Sequence, residues 1–110
     1  MTIVNCIARL AIGVPLLSLF SLPSGAQNTA EAPYKAKCAV CHGGDGAGQT
    51  AMGKANKLQD LGSTDVQKLS DAELTEIITK GKNKMPGYGK SLKPDQITEL
   101  VGYIRSFAKK

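Results

Sequence analysis

Among its 110 residues the chain has no tryptophan, two phenylalanines, three tyrosines, three cysteines and one histidine. So few rings leave a small core short of the area that aromatic side chains normally bury, and a domain of this size then needs stability from another source. A single histidine excludes any centre built on two imidazoles of one molecule. Arginine is as scarce, with Arg9 and Arg105 the two in the sequence. With no arginine-rich stripe and no tryptophan to stack on bases, nucleic acid is excluded as a partner. Strand-like alternation, internal repeats and low-complexity tracts are all missing. The longest apolar run, Leu10 to Leu22, is 13 residues broken by Pro15, whereas a membrane-spanning helix needs about 20.

What that run does fit is an export signal. Arg9 precedes it, and Ser24-Gly25-Ala26 follows with the small side chains a signal peptidase accepts. Residues 1–26 are therefore expected to be cleaved as a secretory signal peptide and residues 27–110 to form a single domain in the periplasm or an equivalent exported space; retention as an anchor is the alternative. Cys6 lies ahead of the apolar run, not at its far end, which argues against a lipid attachment. The remaining 84 residues carry 13 Lys and Arg against 9 Asp and Glu, a net charge of +4. They keep Cys38 and Cys41, too close together to staple a useful loop. A large apolar cofactor would supply the core that the side chains do not.

The helical signals sit at the two ends of this domain. Residues 27–33 read as a loose polar start, and 34–40 as about two turns of helix running into the cysteine pair. Gly43, Gly44, Gly46 and Gly48 then break regular structure. From 49 to 69 there is no clear period; a short helix fits 51–57, and Leu58, Leu61, Val66 and Leu69 are the apolar points. Ser70 with Glu73 forms a capping box ahead of Leu74, Ile77 and Ile78, and Gly81 ends that helix with Lys80 and Lys82 at its negative pole. Pro94 opens the last helix, which carries Ile97, Leu100, Val101 and Ile104 on one stripe, widened by Tyr103 and Phe107. Lys93 is a poor cap, so this start is expected to fray.

Cys38-Ala39-Val40-Cys41-His42 has the spacing of c-type haem attachment. Two thiols three residues apart add to the two vinyl groups of one haem as thioethers, and the next residue presents an imidazole to the iron. A cofactor that cannot dissociate then acts as permanent core. Three other chemistries use such a pair. A thioredoxin-like redox pair belongs at a strand-helix junction, and no strand is legible here. Structural zinc needs four ligands, and the exported domain offers two cysteines and one histidine, so carboxylates would have to help. A plain disulfide leaves His42 and the glycine loop without a purpose.

For a sixth ligand the exported domain has two methionines, Met52 and Met85. Met85 stands before Pro86 and Gly87, on a constrained connection between the two best-marked helices, and is the expected axial ligand opposite His42. An open sixth position, which would make the chain a haem-based sensor or ligand-binding module, is the alternative, as is a haem-free thiol oxidoreductase. Lys80, Lys82, Lys84, Lys90 and Lys93 flank Met85. They are either a solvated face or a basic edge that steers an acidic redox partner.

These residues resemble the class I, single-haem cytochrome c family in its small bacterial form. The resemblance rests on Cys38-Ala39-Val40-Cys41-His42-Gly43, Gly44-Asp45-Gly46-Ala47-Gly48, Lys84-Met85-Pro86 and Leu100-Val101-Gly102-Tyr103-Ile104, and it covers most of the chain after residue 30. It implies an all-α, compact fold of about three to four helices wrapped around one covalently bound haem c. It also implies that Tyr34, Leu100 and Tyr103 pack where the first and last helices cross, beside the haem, with Pro86 next to the ligand. Many relatives carry a Gly-Pro-x-Leu segment after the attachment motif; Met52 to Leu61 lacks it, leaving Leu58 and Leu61 to cover that side. The expected function is that of an exported, non-enzymatic electron carrier, a monomer that meets donor and acceptor proteins and approaches membranes only by docking to redox complexes there.

Overall fold

A computed structural model of the chain describes residues 11, 13–15 and 29–109. The expected signal peptide, residues 1–26, lies almost wholly outside the described residues. Among the described residues there are five helices. The first, α1, spans 31–42 in three contiguous pieces: α-helical Glu31–Pro33, a π-helical turn Tyr34–Cys38, and α-helical Ala39–His42. Two single-turn helices follow, α2 at Ala51–Ala55 and α3 at Thr64–Gln67, and then the longer α4 at Asp71–Lys80 and α5 at Pro94–Ser106. Among the described residues there is no strand beyond one isolated bridge between Lys82 and Met85, and no helix is long and apolar enough to cross a membrane.

Local chemistry sets these boundaries. At α4 the capping box is complete: the Glu73 N–H donates to Ser70 Oγ at 3.1 Å, and the Ser70 N–H donates to Glu73 Oε2 at 2.7 Å. The helix stops at Gly81, whose φ of +82° favours glycine. At α5 the structure corrects the expectation of a frayed start. Gln96 accepts the Lys93 N–H at 2.9 Å, which satisfies a backbone donor that the lysine side chain could not. Helix α3, which has too few apolar residues to show a period, is capped by Ser63 Oγ accepting the Val66 N–H at 3.4 Å.

The core lies between α4 and α5 and against α1. Leu74 and Ile78 from α4 meet Ile97, Leu100, Val101 and Ile104 from α5, with Val66 and Tyr34 closing the sides. Where α1 crosses α5, three rings cluster: Tyr34 lies 4.8 Å from Tyr103 and 5.4 Å from Phe107, and Tyr103 and Phe107 meet edge to face at 5.2 Å. This cluster uses most of the few aromatics, and each pair adds about 1 kcal/mol to the area it buries. Arg105 ties the preceding loop to α5 by donating to the carbonyls of Gln67 at 2.9 Å and Leu69 at 2.5 Å and to Asp71 Oδ1 at 2.8 Å. What this framework leaves open is one wall of the core, between α1, the turn after α2, and the connection from α4 to α5.

Candidate functional site

That opening is a cavity of about 700 Å³, within the size range of cofactor sites. Its floor is apolar, with Leu58, Leu61, Val66, Leu69, Leu74, Ile77, Ile78, Leu100 and Ile104 exposed to it. Cys38, Cys41 and His42 enter from α1, and Met85, Pro86 and Tyr88 from the connection between α4 and α5.

The end of α1 is held by packing that tolerates no substitution at one glycine. Thr50 Oγ1 donates to the Cys41 carbonyl at 2.6 Å and accepts the Gly53 N–H at 2.9 Å, so α2 sits directly on the attachment motif. A Cβ at Gly53 would fall 2.2 Å from the Gly48 carbonyl oxygen and 2.6 Å from that of Cys41. On the far side of the motif, Tyr34 donates its hydroxyl to the Gly43 carbonyl at 2.6 Å.

Residues 81–89 form a strap. Lys82 and Met85 exchange backbone hydrogen bonds of 3.1 and 2.9 Å, and the strap is stitched to α4 by the Tyr88 N–H on the Ile78 carbonyl at 2.8 Å and the Gly89 N–H on that of Thr79 at 3.0 Å. A short, doubly bonded turn of this kind fixes the Cα of Met85 and leaves its side chain at the cavity wall.

The polar groups inside this apolar space match a bound iron porphyrin. Nδ1 of His42 is buried and, among the described residues, has no hydrogen-bond partner. A buried polar atom left so costs about 1–3 kcal/mol, and the imidazole thus waits for bonding that no side chain provides. Burial pushes the His42 pKa below its ordinary value, which keeps the ring neutral and able to ligate metal. Burial pushes the Cys38 thiol up, the opposite of what a reactive redox thiol needs, and Cys38 and Cys41 are not joined to each other. No group of three or more His, Cys, Asp and Glu side chains converges to hold a metal ion among the described residues, which counts against zinc.

Of the residues singled out from the sequence, Tyr34, Cys38, Cys41, His42, Leu58, Leu61, Met85, Pro86 and Leu100 all line the cavity. Tyr103 does not; it packs on Tyr34 in the aromatic cluster instead. Met52 is 51% exposed and also lies off the cavity. The lysines separate as well. Lys82 and Lys84 line the cavity, whereas Lys90 and Lys93 do not, and Lys80 pairs with Glu76 at 3.0 Å. Lys37 and Lys57 join the first two, and no Asp or Glu lines the space. These two lysines and Tyr88 were not foreseen. Tyr88, three residues past Met85, was the one within reach of a sequence argument.

Known proteins similar to this chain include several named as cytochromes. Residues 25–104 match the family described as cytochrome c oxidase, cbb3-type, subunit III. Cytochrome c6 of Gloeothece citriformis is 34% identical over 80 residues, which are 70% of this chain and 67% of that protein. Cytochrome c6 of Nostoc sp. is 31% identical over 96 residues, 84% of each chain. The solved structure of the c-type cytochrome KustC0563 matches with a TM-score of 0.68 at 29% identity, over 73% of this chain and 98% of that one.

Proposed function

The chain belongs to the cytochrome c family, an electron carrier with one covalently attached haem c, and from that premise we propose that Cys38 and Cys41 hold the porphyrin while His42 and Met85 ligate the iron. The observation that supports this assignment is the convergence of two thiols, a buried imidazole with an unpartnered nitrogen and one thioether on a single apolar cavity. Bound there, haem c supplies a one-electron ferric and ferrous couple, which a histidine and methionine pair sets at a raised potential.

The chain's own residues do the rest. Leu58 and Leu61 on one wall and Ile78, Leu100 and Ile104 on the others exclude water, and a low dielectric around the iron penalises the extra charge of the ferric form. Thr50 and Gly53 hold the Cys41 turn, and the strap holds Met85. Electron exchange takes place with donor and acceptor proteins that meet the basic rim of Lys37, Lys57, Lys82 and Lys84, outside the cytoplasm after export on residues 1–26. The chain makes and breaks no substrate bonds of its own, so no catalytic residue is assigned.

The test is the visible and far-red spectrum, oxidised and reduced, of protein exported from cells that carry haem-attachment machinery, for wild type and Met85→Ala. Covalent haem with a sulfur-to-ferric-iron band that disappears in Met85→Ala is the expected result. A band that ignores Met85, or none at all, assigns the sixth position elsewhere.

A further inference from the structure

Tyr88 is set apart from the rest of the strap by where its hydroxyl goes. Every other hydrogen bond that residues 81–89 make to another helix ends on α4. The Tyr88 hydroxyl instead donates across the fold to the carbonyl of Lys37, at 3.1 Å and 51 residues away in sequence. Among the described residues it is the one hydrogen bond between the strap and α1. Its acceptor lies on the π-helical turn, immediately before Cys38. Such turns are single-residue insertions into a helix and recur at functional sites. The Lys37 ammonium lies 5.9 Å from the centre of the Tyr88 ring, a weak second contact between the same two residues. Both residues line the cavity, so the bond joins two of its walls.

We propose that Tyr88 is a positioning residue, a latch whose hydroxyl fastens the Met85 strap to the haem-attachment helix and so sets how readily Met85 gives way to another ligand. The inference rests on the assignment of Met85 as axial ligand. The strap is anchored along α4 by its backbone, with Gly87 and Gly89 packed directly on Lys80 and Thr79, so that α4 is the edge about which it would hinge. On the α1 side the one hydrogen bond among the described residues that resists such a movement is that of the tyrosine hydroxyl, beside the weak contact of Lys37 with the ring. For Met85 to leave its place the strap must move away from α1, and the hydroxyl bond must break with it. A phenylalanine would fill the same volume and leave the strap unfastened.

The experiment follows imidazole binding to the ferric holoprotein by loss of the far-red sulfur-to-iron band, in wild type, Tyr88→Phe and Ser70→Ala. Ser70→Ala removes the cap of α4, far from the latch, and reports what a general loss of stability does. In Tyr88→Phe the band should persist, while imidazole displaces Met85 roughly three- to tenfold faster, the worth of one hydrogen bond. Amide exchange in residues 81–89 should quicken with it. In Ser70→Ala the melting temperature should fall and the displacement rate stay at the wild-type value. Equal rates in wild type and Tyr88→Phe overturn the latch, as does an equal acceleration in Ser70→Ala. A wild-type protein with no such band, or one whose band survives Met85→Ala, instead overturns the ligand assignment and the latch with it.

Discussion

Tyr34 and Gly43 are joined by a buried hydrogen bond of 2.6 Å from the tyrosine hydroxyl to the glycine carbonyl. The ring that carries this hydroxyl is 1% exposed and packs on Tyr103 and Phe107. One side chain therefore connects the start of α1, the backbone just after His42 and the end of α5. Burial raises the Tyr34 pKa, so the group stays a protonated donor at every working pH.

Tyr34→Phe tests how much of the stability runs through that bond. The ring contacts survive, and the Gly43 carbonyl keeps the Gly46 N–H at 3.1 Å but loses the buried hydroxyl bond, at a cost of about 0.5–1.5 kcal/mol. For a domain of this size each kcal/mol lowers the melting temperature by roughly 4–8 °C. Thermal melts of the holoprotein should show a drop of that order with the absorption spectrum unchanged. A melting temperature equal to wild type would show that the Gly46 N–H alone satisfies the Gly43 carbonyl.

How much of this was legible in the sequence depended on the distance over which each feature is determined. The bounds of α4 follow from Ser70, Glu73 and Gly81, all within one helix, and its start and end were readable. The attachment motif is five consecutive residues and was equally plain. Helix α3 was not, because a single turn shows no period and, besides its Ser63 cap, it is tied down by Arg105, 38 residues on from Gln67. The π-helical turn left no local sign either. Which lysines line the cavity is also set at long range: Lys80, Lys90 and Lys93 cluster with Lys82 and Lys84 along the chain, but it is Lys37 and Lys57 that share the cavity lining with Lys82 and Lys84. Tyr103 packs on Tyr34 at the crossing of the first and last helices, as the resemblance implies, but it does not line the cavity.

Acid stability should follow two carboxylates, the partly buried Asp60 and the exposed Glu73. Asp60 has its pKa lowered, first by the hydrogen bond from Lys109, 2.6 Å away, and then by the Gly62 N–H. Glu73 has its pKa lowered by the backbone N–H of Ser70. Both hold a proton less tightly folded than unfolded. Their contribution is present above the ordinary carboxylate range, near about pH 4, and is lost as the pH falls through the lower folded values. Asp60→Asn removes one share. Its melting temperature should lie on the order of a few degrees below wild type near neutral pH, with the gap closing toward about pH 3. A gap that is constant with pH would assign the loss to packing and not to charge.

The basic rim predicts a difference between two pairs of lysines of equal charge. Lys82 and Lys84 line the cavity; Lys90 and Lys93 are exposed but lie off it. Small reagents of opposite sign separate local steering from net charge, because an anion such as ferricyanide and a cationic cobalt phenanthroline complex respond oppositely to the same field. Lys82→Glu with Lys84→Glu should slow oxidation by ferricyanide roughly tenfold at low ionic strength and speed oxidation by the cobalt complex. Lys90→Glu with Lys93→Glu makes the same change in net charge and should do markedly less. In about 1 M salt, where the Debye length is near 3 Å, steering is screened and any difference that survives reports a changed driving force. If the two pairs slow ferricyanide equally, the chain steers by its overall charge and the lysines at the cavity have no special part in docking. If only Lys82 and Lys84 matter, electrons leave through the edge beside Met85, and an acidic partner must bring its own acceptor to that edge.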